Sequence, residues 1–253
     1  LERCPDATVI PPDMAKYKRF RAEIRAIFAD GTPVIEPVSL DEAYLDLTEH
    51  ARELPARALA RIAHRVEKEV RITVSIGLSC NKFLAKLASE MRKPRGYSVI
   101  GAREARAFLA PLPVAKINGV GSRTAERLEA AGIHTIGDLQ AMSEMELVTR
   151  YGRFGRRLAR FAVGEDDRVV TPDRETKSVS AETTFRRDTA SYTDLETAAE
   201  ALAARVAEQL RRKELAGGTV VLKLKTADFR LLTRHHRLAH PTQRAEVLME
   251  AAR

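Results

Sequence analysis

Tryptophan is absent from the 253 residues, cysteine occurs twice, and Phe, Trp and Tyr together make up 5%. Two cysteines, Cys4 and Cys80, cannot build a disulfide framework or a cysteine zinc site. So few aromatics and six scattered histidines do not point to a haem or flavin pocket. No apolar run approaches the roughly 18 residues of a membrane span, and Leu1-Glu2-Arg3-Cys4-Pro5 has no signal-peptide pattern. We therefore expect a reducing, cytoplasmic setting and no membrane partner. What is present is 44% hydrophobic and 31% charged, the balance of a globular chain. A net charge of +8 favours a polyanionic partner, but the excess is spread along the chain. Composition permits nucleic-acid binding without locating it.

Periodicity divides the chain. Residues 13–29 are helical, with Tyr17, Phe20, Ile24, Ile27 and Phe28 near helical spacing, and Asp30-Gly31-Thr32-Pro33 ends them. Strands near 34–38 and 43–48 form a hairpin with Asp41-Glu42 at its bend. A helix over 55–70 precedes a β-branched strand over 72–78. Asn81 can cap a helix over 82–91, whose apolar face is Phe83, Leu84, Leu87 and Ala88. A short strand, Tyr97 to Ile100, and a helix near 103–109 close this α/β region. Pro111-Leu112-Pro113 marks a boundary, after which short helices at 122–131, 137–141, 143–150 and 153–162 follow one another. A charged linker over 164–176 leads to a strand at 177–185, a helix at 194–213, a turn at Gly217-Gly218, strands at 219–226 and 230–238, and a helix from about 242.

Adjacent residues of a regular strand face opposite sides, but at a bend Asp41 and Glu42 can share one hollow. Two carboxylates there repel unless a cation lies between them. Mg²⁺ accepts few carboxylates and completes its shell with water and phosphate oxygens, so this pair suits two-metal phosphoryl transfer. The string Ser39-Leu40-Asp41-Glu42-Ala43-Tyr44-Leu45-Asp46 resembles the palm motif of the Y-family translesion DNA polymerases. A second string, Ser75-Ile76-Gly77-Leu78-Ser79-Cys80-Asn81-Lys82-Phe83-Leu84-Ala85-Lys86-Leu87-Ala88-Ser89, with Lys93-Pro94-Arg95-Gly96 after it, resembles another signature of that family. Gly119-Val120-Gly121 follows in the correct order, and the resemblance, nearest to the bacterial DNA polymerase IV branch, spans nearly the whole chain.

The resemblance implies an α+β multidomain fold. A partial palm, a mixed sheet with helices, would occupy 1–110. A helical thumb with a helix-hairpin-helix would occupy 111–163. After the linker at 164–176, an α/β little finger would occupy 177–253. It implies a DNA-directed DNA polymerase with two Mg²⁺ ions, in which Asp41 is a ligand shared by the ions and Glu42 is the second catalytic carboxylate. Lys93 would contact the incoming deoxynucleoside triphosphate. Lys82 and Lys86 fit a solvated basic helix face better than a nucleotide contact, and Asp46 reads as structural. The family's first metal-binding Asp and its fingers have no counterpart here, and the little finger would stop short of its C-terminal end, so a fragment is expected, inactive alone. A sliding clamp is the expected further partner of the whole protein, and a monomer its expected state.

Ile117-Asn118-Gly119-Val120-Gly121-Ser122 fits a helix-hairpin-helix. Glycines let the backbone approach a phosphate, and the N–H groups that open the following helix can bind it without reading sequence. Asn118 stands where many relatives have Pro, which predicts a slightly looser loop. Arg150, Arg153, Arg156, Arg157 and Arg160 form an acid-free run projecting outward, as a solvated face or a basic patch. In the last segment Lys223 and Lys225 share a strand face opposite Val220, Leu222 and Leu224. Arg230, Arg234 and Arg237 lie on the neighbouring stretch. Together they predict one basic sheet face lying along the backbone of primer–template DNA. His235-His236 diverge on a strand and predict no metal site. Two competing readings are a polymerase-like scaffold that recruits repair proteins and a non-catalytic helix-hairpin-helix protein or repair nuclease. Such scaffolds typically lack the Asp-Glu pair, and the palm strings disfavour the other.

Overall fold

A computed structural model of the chain describes residues 4, 6–49, 53–173 and 175–253. They form two compact units, 1–173 and 174–253.

In the first unit, α1 (Met14–Ala29) starts where the Asp13 carboxylate accepts the Lys16 N–H at 2.9 Å. Strands β1 (Ile35–Pro37) and β2 (Ala43–Leu45) pair antiparallel, with Glu36 opposite Tyr44. Helix α2 (Pro55–Arg65) opens on a proline, whose missing N–H is no loss in a first turn. It runs into one π-helical turn, Val66–Val70, that buries both of its valines. Arg71, at φ 62°, then turns the chain out of the helix.

The strand expected over 72–78 is β3 (Ile76–Ser79), paired parallel with β4 (Tyr97–Ile100). Pairing begins only at Ile76, because the residues before Tyr97 are spent on the turn that brings Gly96 to Ser75 and Ile76. Helix α3 (Lys82–Glu90) is capped by Asn81, which accepts the Leu84 N–H at 3.0 Å. Its expected face, Phe83, Leu84, Leu87 and Ala88, is buried. Gly77 lets β3 lie on this helix: a Cβ there would stand 2.0 Å from the Ala85 carbonyl oxygen.

Pro111-Leu112-Pro113 is not a break in the core. Helix α4 (Ala105–Leu109) leads through a 3₁₀ turn at Val114–Lys116 to α5 (Ser122–Glu129), α6 (Ile136–Gln140), α7 (Glu144–Tyr151) and α8 (Arg153–Ala162). One apolar cluster runs from Phe83 and Leu84 through Leu109 and Val114 to Leu158 and Phe161. Phe83 and Phe161 stack with centroids 4.5 Å apart. Main-chain bonds from Val114 to His134, Ile136 to Leu112 and Gly137 to Ala110 run across this stretch. Each fully buried Leu or Phe here contributes about 1.5–3 kcal/mol.

Residues 164–171, within the charged stretch 164–176, dock on the start of α3. The Gly164 carbonyl accepts from the Asn81 amide at 2.8 Å, and the Asp166 carboxylate accepts the Phe83 N–H at 2.9 Å. The segment thus completes the capping of α3.

The second unit holds α9 (Tyr192–Arg212), the antiparallel pair β5 (Gly217–Lys225) and β6 (Leu231–Thr242), and α10 (Ala245–Glu250). Its core is small, built on Ala207, Leu210 and Leu248 with Val179, Val220 and Leu238 against them. The strand expected at 177–185 does not form. Its carbonyls at Ser180 and Glu182 accept instead from the side chains of Gln209 and Arg205 on α9. Gly217-Gly218, read as a turn, opens β5 at a register irregularity.

Gly155 fixes how closely α7 and α8 approach, since a Cβ on it would stand 1.9 Å from the Leu147 carbonyl oxygen. Gly155→Ala should destabilise the first unit by about 1–3 kcal/mol through overpacking. Thermal unfolding followed by circular dichroism should show a drop of several degrees, and an unchanged midpoint would mean the helices are not in contact there.

Candidate active site and nucleic-acid contacts

The bend between β1 and β2 is organised by one hydroxyl. Ser39 Oγ donates to Asp41 Oδ1 at 2.6 Å and accepts the Glu42 N–H at 3.1 Å. The Val38 and Ser39 N–H groups both bond the Glu42 carbonyl and close the turn. Asp41 is exposed. The Ser39 hydrogen bond, with help from the nearby Lys93 and Lys86 charges, holds its carboxyl below the usual range. Asp46 accepts the Thr48 N–H and its carbonyl receives the Thr32 hydroxyl, in keeping with a structural role.

Lys86 is not a solvated side chain. Its ammonium pairs with Glu42 Oε1 and lies 2.9 Å from Glu90 Oε1. Burial lowers its pKa, but the bonds to Glu42 and Glu90 outweigh burial and raise it above its ordinary value. Glu90 also receives Lys93 Nζ at 2.8 Å, and the two ammonium groups depress its carboxyl. Glu42, Lys86, Glu90 and Lys93 therefore form a chain of alternating charge. Sequence reasoning missed Glu90, although it stands four residues after Lys86 and three before Lys93, where helical neighbours meet.

Lys82 also departs from the solvated face expected for it. It is 5% exposed, and its ammonium lies 2.5 Å from Glu36 Oε2, a carboxylate with no exposure at all. Burial pulls the pKa of Lys82 down. The same ammonium reaches the Val169 carbonyl at 3.2 Å and sits over the Tyr44 ring at 5.0 Å, while the Thr171 N–H donates to Glu36 at 2.8 Å. Glu36 was also missed. Its signal was a lone acid within Val34-Ile35-Glu36-Pro37-Val38.

Gly119 has φ 96°, a conformation that L side chains rarely adopt, and Gly121 begins α5 with no side-chain cap and open space around it. Gly121 and Ser122 are exposed, so the first-turn N–H groups of α5 lie at a surface. At Asn118 the carbonyl and side-chain oxygens both lie 3.4 Å from Arg157. Other members of the arginine run are also engaged. Arg156 pairs with Glu144, and Arg160 with Asp167.

On the β5–β6 ladder, directly paired residues share a face. Lys223 stands opposite Thr233, Lys225 opposite Leu231, and Thr219 opposite Arg237. Leu222 faces Arg234, so Arg234 belongs to the other side. A single basic face holding Lys223, Lys225, Arg230, Arg234 and Arg237 is thus corrected: strand alternation separates Arg234 from the lysines. Arg230 pairs with Asp228 at 2.5 Å, and Lys225 lies over the Phe229 ring at 5.3 Å.

Among the described residues no group of three or more His, Cys, Asp and Glu is placed to hold a metal. The donor set of Asp41 and Glu42 nevertheless fits a hard divalent cation: two carboxylates on a hydrogen-bonded bend, one ionised and open to solvent.

Three family models match the chain in order. The impB/mucB/samB family matches residues 1–90, the IMS family HHH motif 103–133, and the impB/mucB/samB family C-terminal domain 176–253. A Y-family DNA polymerase chimera of Dbh and Dpo4 superposes with TM-score 0.84 at 24% identity, covering 99% of this chain and 74% of that one. DinB from Sulfolobus solfataricus gives 0.61 at 24% identity, covering 99% and 73%. The fold is therefore that of the Y-family DNA polymerases. DNA polymerase IV of Brucella melitensis biotype 1 is 52% identical over 97% of this chain and 56% of its own length. DNA polymerase IV 1 of Mesorhizobium japonicum is 52% identical over 99% and 58%. DNA polymerase IV of Stenotrophomonas maltophilia strain K279a is 44% identical over 98% and 69%. The chain belongs to the impB/mucB/samB family, and it spans less than three fifths of the length of the first two of these relatives.

Breaking the Glu36–Lys82 pair from one side would leave a carboxylate that has no exposure without its counter-charge. Lys82→Met should cost about 3–5 kcal/mol, whereas Glu36→Leu/Lys82→Met together should recover most of the loss. Urea unfolding of the four chains measures this. A single variant as stable as wild type would show that the pair is not dry.

Proposed function

We propose that this chain is part of a template-directed DNA polymerase that copies past damaged bases with low fidelity, and that Asp41 and Glu42 are its catalytic carboxylates. The observation that carries the reading is the hydrogen-bonded bend that sets these two carboxylates beside Lys86 of α3 and Lys93. In this reading residues 1–110 are palm, 111–163 thumb and 177–253 little finger, with 164–176 joining the last two. Substrates are primer–template DNA and deoxynucleoside triphosphates.

Asp41 and Glu42 would hold two Mg²⁺ ions. Bound there, such ions stabilise charge on the attacking 3′ oxygen and on the leaving oxygen of an in-line displacement. The chain's own groups do the rest. Lys93 offers its ammonium to the triphosphate and offsets charge on the departing pyrophosphate. Ser39 keeps the Asp41 carboxylate oriented and ionised. The N–H groups of Gly121 and Ser122, behind Gly119, take a phosphate of the duplex without regard to its base. Lys223, Lys225, Arg230, Arg234 and Arg237 contact other phosphates, Arg234 from the opposite side of the ladder. A sliding clamp, a monomeric state and a cytoplasmic setting complete the proposal. The scaffold alternative is disfavoured by the presence of both carboxylates.

In the full-length protein that carries this sequence, Asp41→Ala should abolish primer extension and leave duplex affinity within about twofold, because it removes a metal ligand and not a DNA contact. Extension near the wild-type rate would end the assignment. Lys223→Ala/Lys225→Ala should weaken binding equally on unrelated primer–templates and lower the slope of log K against log salt by roughly one unit per lost phosphate contact. An unchanged slope would mean that these lysines do not face DNA. A loss confined to one sequence would mean that they read bases.

A further inference from the structure

Glu42 already has a cation. Its Oε1 receives the Lys86 ammonium, and that ammonium also lies 2.9 Å from Glu90 Oε1. Glu90 Oε1 in turn lies 2.8 Å from Lys93 Nζ. An ionised carboxylate has about four acceptor positions, so Glu90 holds both lysines without one displacing the other. The Lys86 side chain is only 27% exposed, which leaves its ammonium dependent on these two carboxylates rather than on water.

We propose that Lys86 is the resident counter-ion of Glu42, a positioning residue that a divalent cation must displace, and that Glu90 is the carboxylate on which Lys86 stays once displaced. The proposal rests on the reading of Asp41 and Glu42 as metal ligands. Without a cation between them the two neighbouring carboxylates repel, and Lys86 relieves that repulsion. A divalent cation approaching the bend meets the Lys86 charge and competes with it for Glu42. The exchange is easy because the second partner of Lys86 is in place beforehand: one contact is given up and the other is kept. Removing Glu90 would leave the displaced ammonium half-buried beside an incoming cation, so Lys86 would hold Glu42 more firmly. The two substitutions should therefore act in opposite directions, and the effect of Glu90 should depend on Lys86.

Mn²⁺ binding to the full-length protein that carries this sequence, read from the electron paramagnetic resonance of the free ion, tests this without turnover. Lys86→Met should bind Mn²⁺ about tenfold more tightly, the scale on which one neighbouring charge changes a carboxylate's proton affinity. Glu90→Gln should bind several-fold more weakly. The double variant should resemble Lys86→Met, and Asp41→Ala should lose the site. Lys86→Gln repeats the first measurement with a polar side chain, and thermal midpoints identify any variant that has unfolded. If neither Lys86 variant tightens binding while Asp41→Ala still abolishes it, the counter-ion role is wrong and the metal assignment stands. Equal weakening by Glu90→Gln with and without Lys86 would remove Glu90 from the proposal. Binding indifferent to Asp41→Ala, or absent from every chain, would overturn both readings.

Discussion

The buried pair of Glu36 and Lys82 is the contact on which the first unit turns. A carboxylate and an ammonium taken out of water carry a desolvation penalty of several kcal/mol each. That penalty is offset only by close geometry and by filling the remaining hydrogen-bonding positions. Both conditions are met: the charges are 2.5 Å apart, the Thr171 N–H takes a position on Glu36, and the Val169 carbonyl one on Lys82. Three pieces of chain far apart in sequence are thereby held at one point: strand β1, the start of α3, and residues 169–171. An apolar pair could supply equal stability. It could not specify which backbone groups of 169–171 dock, because apolar contacts have no direction.

From that point α3 acts as a ruler. Lys82, Lys86 and Glu90 follow one another at four-residue spacing, about 6 Å per step along a helix. The first is dry against Glu36, the second half-buried against Glu42, and the third exposed with Lys93. The opposite face, Phe83, Leu84 and Leu87, enters the core that continues to Phe161. One helix thus fixes the carboxylate bend by its polar stripe and the following helical region by its apolar face. The gradient from dry to wet along the stripe separates roles. A dry pair can only be structural, since exchanging its partner would expose an unpaired charge. A half-buried pair can exchange.

Much of this was legible. The helical periods, the Asn81 cap and the apolar face of α3 follow from local patterning, and α3 holds them. The bend at Asp41-Glu42 was readable because strand alternation on either side leaves no other place for two adjacent acids. What failed depended on partners distant in sequence. Lys82 was read as solvated because its own helix offers it no carboxylate; Glu36 comes from 46 residues away. The strand expected at 177–185 has suitable residues but no ladder partner among the described residues, and α9 side chains take its carbonyls. Nor does local texture show that one core runs on beneath Pro111-Leu112-Pro113 from α3 to α8, since apolar contacts between distant residues leave no local mark. Arg234 was grouped with the lysines by proximity in sequence, and only the ladder register assigns it to the other face.

The net charge of +8 gains meaning once the pairs are set aside. Arg65 is bound by both Glu69 and Asp30, Arg156 by Glu144, Arg160 by Asp167, and Arg168 by Asp166. These cations are locally neutralised and add little to the field that a polyanion meets. Lys223 and Arg237, by contrast, have no ion pair among the described residues, and both are exposed on the same face of the β5–β6 ladder. At physiological salt the Debye length is about 8 Å, so a phosphate feels chiefly the charges it nearly touches. Attraction to a polyanion is therefore decided by where acids are missing, not by where basic residues are frequent.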